Sequence, residues 1–138
     1  MDKLRWALES QLERDSELSF IEYHALARLS EEPARTLRMS ELAVVTNASL
    51  SRLSHLVTRL EQWGFVRREA DPTDGRYTNA LLTDAGYRKL HDSAPSHVAA
   101  VRQLVIDELS SSELAVLRDS CERILERIDA SPWKQPLA

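Results

Sequence analysis

Leu4, Leu8 and Leu12 recur at four-residue spacing among charged and polar residues, and predict a helix over 3–14. A second apolar pattern runs from Leu18 to Leu29; it predicts a helix whose inner face is Phe20, Tyr23, Leu26, Ala27 and Leu29. Glu31-Glu32-Pro33 ends it, because proline disfavours helix in the residue before it. Residues 40–47 read as a short helix with Ser40 as N-cap, followed by a break at Asn47-Ala48. Ser49 caps the next helix, which runs to Trp63 with Gly64 as its stop. Within it Leu53, Leu56, Val57 and Leu60 form a one-sided stripe.

Residues 65–70 and 77–82 have the length and residue types of two short strands. They flank Asp71-Pro72-Thr73-Asp74-Gly75-Arg76, so an antiparallel hairpin with an extended tip is expected. Thr83 caps a helix spanning 84–108, which Pro95 should kink or split. Ser110 with Glu113 makes a capping box for the final helix. That helix carries Leu114, Leu117, Cys121, Ile124 and Ile128 at alternating spacings of three and four, a seam suited to a partner helix. The segment Ser131-Pro132-Trp133 leaves helix behind. The pattern is that of a mainly α chain with a small β-hairpin (α+β), forming a single domain over 1–138.

Composition narrows the class. The chain has 138 residues, 43% hydrophobic and 29% charged, which fits one globular domain. Only 3 Gly and 5 Pro argue against an all-β fold. A lone cysteine excludes a disulfide framework and fits a cytoplasmic setting. No apolar run reaches the ~20 residues a membrane span needs, and the charged start Met1-Asp2-Lys3-Leu4-Arg5 is unlike a signal peptide. The net charge of −4 counts, on its own, against nucleic acid as a partner.

Charge placement reverses that inference. Helix, short turn, helix and hairpin is the order of a winged helix-turn-helix. With residues about 100° apart, the side of 49–63 opposite its apolar stripe carries Ser51, His55, Thr58 and Gln62, flanked by Arg52 and Arg59. These groups bond base edges and phosphates. No carboxylate lies between Glu41 and Glu61. Residues 49–68 hold four arginines (Arg52, Arg59, Arg67, Arg68) against Glu61, a local +3 that leaves −7 for the rest. Ser51, Arg52, Ser54 and His55 are the expected base or adjacent phosphate contacts, Ser49 would add a phosphate contact to its capping role, and Thr58 and Arg59 would meet the backbone further along. Arg67 and Arg68 would pair with phosphates from the hairpin base. Arg76 would enter a minor groove or form an ion pair with Asp74 or Asp71; Asp74 could do both by orienting Arg76.

The run from Leu37 to Gly86 resembles the MarR (multiple antibiotic resistance regulator) family of bacterial transcription factors. The resemblance rests on Ser40-Glu41-Leu42-Ala43, Val57-Thr58-Arg59-Leu60-Glu61, Gly64-Phe65-Val66-Arg67-Arg68, the wing Asp71-Pro72-Thr73-Asp74-Gly75-Arg76, and Leu82-Thr83-Asp84-Ala85-Gly86, in that order. It implies a homodimeric repressor with a winged lobe over 37–83 and dimerisation helices over 3–30 and 84–130. Leu4, Leu8, Leu114, Leu117, Cys121, Ile124 and Ile128 would lie at the dimer interface, and Asp74 and Arg76 match the wing signature. The partner implied is double-stranded DNA carrying a pseudo-palindromic operator. Relatives often carry a second arginine where this chain has Gly75, and often extend further upstream of the first helix. The family also implies a small aromatic or phenolic effector in a crevice between the dimerisation helices and the winged lobe. Trp6, Tyr23, His24 and His97 are candidate lining residues, although such residues in a helix of a small protein are more often ordinary core or interface.

Other chemistries find little footing. No P-loop, Rossmann fingerprint, G-x-S-x-G or HExxH is present, so no enzyme and no cofactor is expected. His91 and His97 stand about 240° apart on a helix and cannot share a metal from one face. Two alternatives stand beside the regulator: a winged-helix interaction module without DNA binding, and a repressor regulated by oxidation of Cys121. The seam position of Cys121 favours a small buried hydrophobe instead.

Overall fold

The computed structural model describes residues 2–130. Six helices and three strands follow in the order α1 (Asp2–Ser16), α2 (Phe20–Glu31), β1 (Thr36–Arg38), α3 (Met39–Val45), α4 (Leu50–Gln62), β2 (Val66–Ala70), β3 (Thr78–Leu82), α5 (Asp84–Leu104) and α6 (Ser111–Asp129). The expected departure from helix at Ser131 lies outside the described residues.

The core is continuous across both lobes. Leu12, Leu18, Leu26 and Leu29 pack with Leu42, Leu53, Val57 and Leu60, and all eight are fully buried. Ser19 begins α2 with a capping box: its Oγ accepts the Glu22 N–H and the Glu22 carboxylate accepts the Ser19 N–H. The inner face of α2 differs from the sequence expectation. Ala25 and Glu22 are buried, whereas Ala27 and Phe20 are only partly covered. Periodicity centred the face on apolar residues, and it could not see that an arginine from α4 would receive the buried Glu22 carboxylate.

The sheet has order β1-β3-β2, all antiparallel. The hairpin β2–β3 is where the pattern placed it, with Val66 opposite Leu82 and Ala70 opposite Thr78. β1 is an addition. Three half-buried residues show no alternation, and their extended form comes from pairing with β3, Thr36 opposite Leu81 and Arg38 opposite Asn79.

Two further expectations are corrected. Ser40 is not the N-cap of α3; the helix begins at Met39, and Glu41 accepts the Arg38 N–H at 3.2 Å. Strand β1 carries the chain directly into the helix, which puts Ser40 in its first turn. Of the two courses expected at Pro95, a kink or a split, the split is excluded: α5 runs unbroken from Asp84 to Leu104 before a 3-10 turn at Ile106–Glu108. Pro95 and His91 are both exposed, so water can take the carbonyl that proline leaves without a donor.

α6 has the predicted capping box on Ser110 and Glu113 but buries none of its residues. Leu117, Ile124 and Ile128 are exposed, as is Cys121, which is therefore no buried hydrophobe within one chain. Leu8, by contrast, is buried in its own chain, because α1 turns that face toward α2 and α5.

Candidate nucleic-acid interface and adjoining crevice

The turn between α3 and α4 is built to aim the second helix. Asn47 takes the left-handed conformation at φ 51, a region that asparagine tolerates better than most residues. The N–H of Ala48 reaches the Ala43 carbonyl and that of Asn47 reaches Val44, a Schellman closure with Ala48 pressed into the core. One residue later Ser49 Oγ accepts the Arg52 N–H and starts α4. At the far end Gly64, at φ 77, repeats the closure, with Phe65 N–H on Leu60 and Gly64 N–H on Glu61. Both ends of α4 are thus fixed by backbone chemistry, and its stripe of Leu53, Leu56, Val57 and Leu60 is buried as expected.

The outward face presents Ser51, Arg52, Ser54, His55, Thr58 and Arg59, all exposed. Their hydrogen bonds divide them. Arg68, expected to be a phosphate ligand, instead clamps the hairpin to α4. Its guanidinium donates to Glu61, to the Ser54 carbonyl at 2.7 Å and to the Thr58 hydroxyl at 3.2 Å, and only 25% of its side chain is exposed. Thr58 donates in turn to the Ser54 carbonyl at 2.9 Å, so its hydroxyl is already committed at both ends. Ser54 Oγ accepts from Arg68 at 3.1 Å and keeps its own O–H. Arg59 lies 3.2 Å from the buried Glu22 carboxylate and stacks over Trp63. Arg67 pairs with Glu69 at 2.8 Å.

The wing is stiffened from within. Asp71 accepts from Thr73 Oγ1 (2.6 Å), Thr73 N–H (2.8 Å), Arg38 Nε (3.0 Å) and Asp74 N–H (3.2 Å), and these bonds hold its carboxyl well below the usual range. Arg38, which nothing in the motif reading singled out, also lies 4.3 Å from the centre of the Tyr77 ring. Arg76 pairs with Asp74 rather than Asp71, at 2.7 Å through Nη2, yet remains 84% exposed at the tip. The Arg76 guanidinium beside it lowers the Asp74 carboxyl. Gly75 has open space around it.

Of the five arginines at positions 52, 59, 67, 68 and 76, only Arg52 has no carboxylate partner among the described residues. Ser51, Arg52 and His55 form the uncommitted part of the face, all in the N-terminal half of α4.

Arg52 also borders a crevice of about 520 Å3 between α1, α2 and the α3–α4 turn, a volume ordinary for a small-molecule site. Its apolar wall includes Leu4, Leu8, Phe20 and Ile21; Arg5, His24 and Arg52 are its ionisable groups, and among the described residues no carboxylate lines it. The structure divides the four candidate lining residues. His24 lines the crevice, its ring 4.3 Å from Phe20. Tyr23 and His97 do not line it; their rings pack against each other at a tilt, 4.5 Å between centres, and both residues are buried. Trp6 is 72% exposed and does not line this crevice. Burial, with Arg28 nearby, lowers the His24 value; burial, with His24 nearby, lowers that of His97.

A MarR family model matches residues 16–76. Over 99% of its length the chain superposes on Sco3205, a MarR family transcriptional regulator from Streptomyces coelicolor solved in complex with DNA, with a TM-score of 0.91, 41% identity and 87% of that chain covered. The chain belongs to the MarR family of transcriptional regulators. AbsC, another MarR family regulator from the same organism, matches with a TM-score of 0.89 and 38% identity, covering 94% of this chain and 87% of that one. MhqR, an HTH-type transcriptional regulator of Bacillus subtilis (strain 168), is 34% identical over 76 residues, 55% of this chain and 49% of that protein. In this family member the crevice lies on the winged lobe's flank, against the first turns of α4.

Proposed function

We propose that this chain is a dimeric, sequence-specific DNA-binding repressor released by a small aromatic anion. It works in the cytoplasm and by binding alone, with no reaction catalysed and no cofactor. The observation that carries the reading is the exposed, carboxylate-free N-terminal half of α4 beside a wing whose arginine is held outward. Ser51, Arg52 and His55 read the major groove, with Ser49 and Ser54 hydroxyls on neighbouring phosphates. Arg76 enters the flanking minor groove and Arg67 meets backbone, exchanging Glu69 for phosphate. Arg59 and Arg68 support the reading helix from behind. Two copies joined through α6 would place two such helices about 34–36 Å apart on a pseudo-palindrome.

The effector class follows from the crevice, whose apolar wall and two guanidiniums suit an aromatic carboxylate or phenolate. Binding of the protein to its own upstream DNA, measured by electrophoretic shift, is the direct test. Counterion release should weaken it by about 1,000-fold or more between about 50 and 200 mM salt if six or more phosphates are met. Arg76→Ala should lose about 1–3 kcal/mol at fixed salt. No retarded band at low salt would favour the interaction-module reading instead.

A further inference from the structure

Arg52 occupies two places at once. It stands in the first turn of the helix that reads DNA, and it lines the crevice between α1, α2 and the helix–turn–helix. Among the described residues no hydrogen bond or ion pair holds that side chain, while the neighbouring arginines at 59, 67 and 68 are each engaged by a carboxylate. The crevice contributes one further guanidinium, Arg5 of α1, and has apolar walls and no acid. A carboxylate seated there has Arg5 of α1 and Arg52 of α4 as the guanidiniums of its lining. Operator DNA is also an anion, and it approaches the same guanidinium from the outer face of α4.

We propose that effector and operator compete for Arg52: an aromatic carboxylate in the crevice draws the guanidinium inward and removes it from the DNA. The competition rests on the effector and DNA readings above and assigns their coupling to one residue. The two lobes need not move apart for the effector to act. Unlike Arg59 or Arg68, Arg52 can turn between the two anions without leaving a carboxylate of its own chain unpaired. Coupling of this kind is reciprocal, so operator weakens the carboxylate by the factor that the carboxylate weakens operator.

The test uses full-length protein, an operator duplex found by binding to its own upstream region, and 2-naphthoate as probe. Calorimetry first measures naphthoate binding to the wild type and to Arg5→Gln. No binding to the wild type, or equal binding to both, means that the crevice takes no carboxylate, and the effector reading falls together with this proposal. With binding established, fluorescence anisotropy compares operator affinity for the wild type, the wild type saturated with naphthoate, and Arg52→Ala without it. Arg52→Ala should bind operator about 5- to 150-fold more weakly, the range of one well-made contact. The saturated wild type should match that variant within twofold. A saturated wild type much weaker than Arg52→Ala would show release by movement of whole lobes, and one much stronger would leave Arg52 on the DNA. Either result overturns the competition while leaving the effector site intact, as does an Arg52→Ala variant with unchanged operator affinity.

Discussion

A methyl group at position 86 would stand 2.1 Å from the Phe65 carbonyl oxygen and 2.7 Å from a Leu82 methyl. That carbonyl also accepts the Thr83 N–H, and Thr83 Oγ1 accepts the Gly86 N–H, so the start of α5 is closed onto the base of the hairpin. Neither the Phe65 backbone nor the Leu82 side chain, itself buried, has room to withdraw. Gly86→Ala should therefore cost about 1–3 kcal/mol by overpacking, read as a fall in melting temperature of roughly 2–4 °C per kcal/mol. An unchanged melting temperature would mean that this junction yields freely. Gly86 is legible in the sequence as part of the Leu82–Gly86 motif, but its reason is not, since that reason is a carbonyl twenty-one positions earlier in the chain. The arginines teach the same lesson. Along the sequence Arg52, Arg59, Arg67 and Arg68 are equal members of a +3 segment. In space Arg59 is answered by Glu22 of α2, Arg68 by Glu61 of α4 and Arg67 by Glu69 of its own strand, which leaves Arg52 as the uncommitted one.

Among elements, α1, α2 and α5 meet around a polar knot inside an otherwise apolar junction. Gln11 donates through Nε2 to Asp15 at 2.9 Å, so its carbonyl oxygen faces His97 and receives the proton on Nδ1, also at 2.9 Å. The ring of His97 packs on Tyr23 and lies 6.2 Å from Phe20, and His24 packs on the same two aromatics. Burial leads the causes that depress both histidines, so the folded chain binds fewer protons than the unfolded one just below about pH 6.5. Stability then rises with pH in that window. It should be complete above the unfolded value and decline as pH drops from about 6.5 toward the lower folded values. The depressed carboxylates Asp15, Asp71, Asp74 and Glu113 lose their share only on further acidification, from the ordinary carboxylate range downward. Urea midpoints measured from pH 7.5 to 5.5 should fall for the wild type, with a flatter course for His24→Gln/His97→Gln. Parallel slopes would remove the histidines as the cause. The helices of this junction were legible from leucine spacing, because burial of one face leaves a periodic mark. The pairing of Gln11 with His97 was not, since contact between α1 and α5 joins residues eighty-six apart. β1 was missed, and the choice between a kink and a split at Pro95 left open, for a related reason: partner strand and solvent decide them, and local sequence does not.

For the whole molecule the acidic balance of −4 is spread unevenly, yet less simply than a basic segment on an acidic scaffold. Several of the acids sit against the arginines of the reading lobe, where they fix geometry and leave the free positive charge to a few positions. The unfinished part of the molecule is α6. Val116, Leu117, Ile124, Leu125 and Ile128 are all between 46% and 67% exposed on a helix that buries nothing within its own chain. A 19-residue helix with that much bare apolar surface gains little from intrinsic propensity and needs packing to persist. A second copy supplies it in the dimer proposed above, and the dimer in turn sets the operator affinity. One protomer carries one reading helix; joining two makes the second contact intramolecular and raises affinity by about 100- to 10,000-fold without any new interaction with DNA. Leu117→Glu/Ile124→Glu puts two charges into the seam while leaving untouched the core formed by Leu12, Leu26, Leu53 and Leu60. The variant should sediment as a monomer with the winged lobe folded, and its operator affinity should fall within that range. A variant that still sediments as a dimer would move the interface off α6. One that becomes monomeric yet holds a full operator as tightly as the wild type would show that a single lobe suffices for recognition.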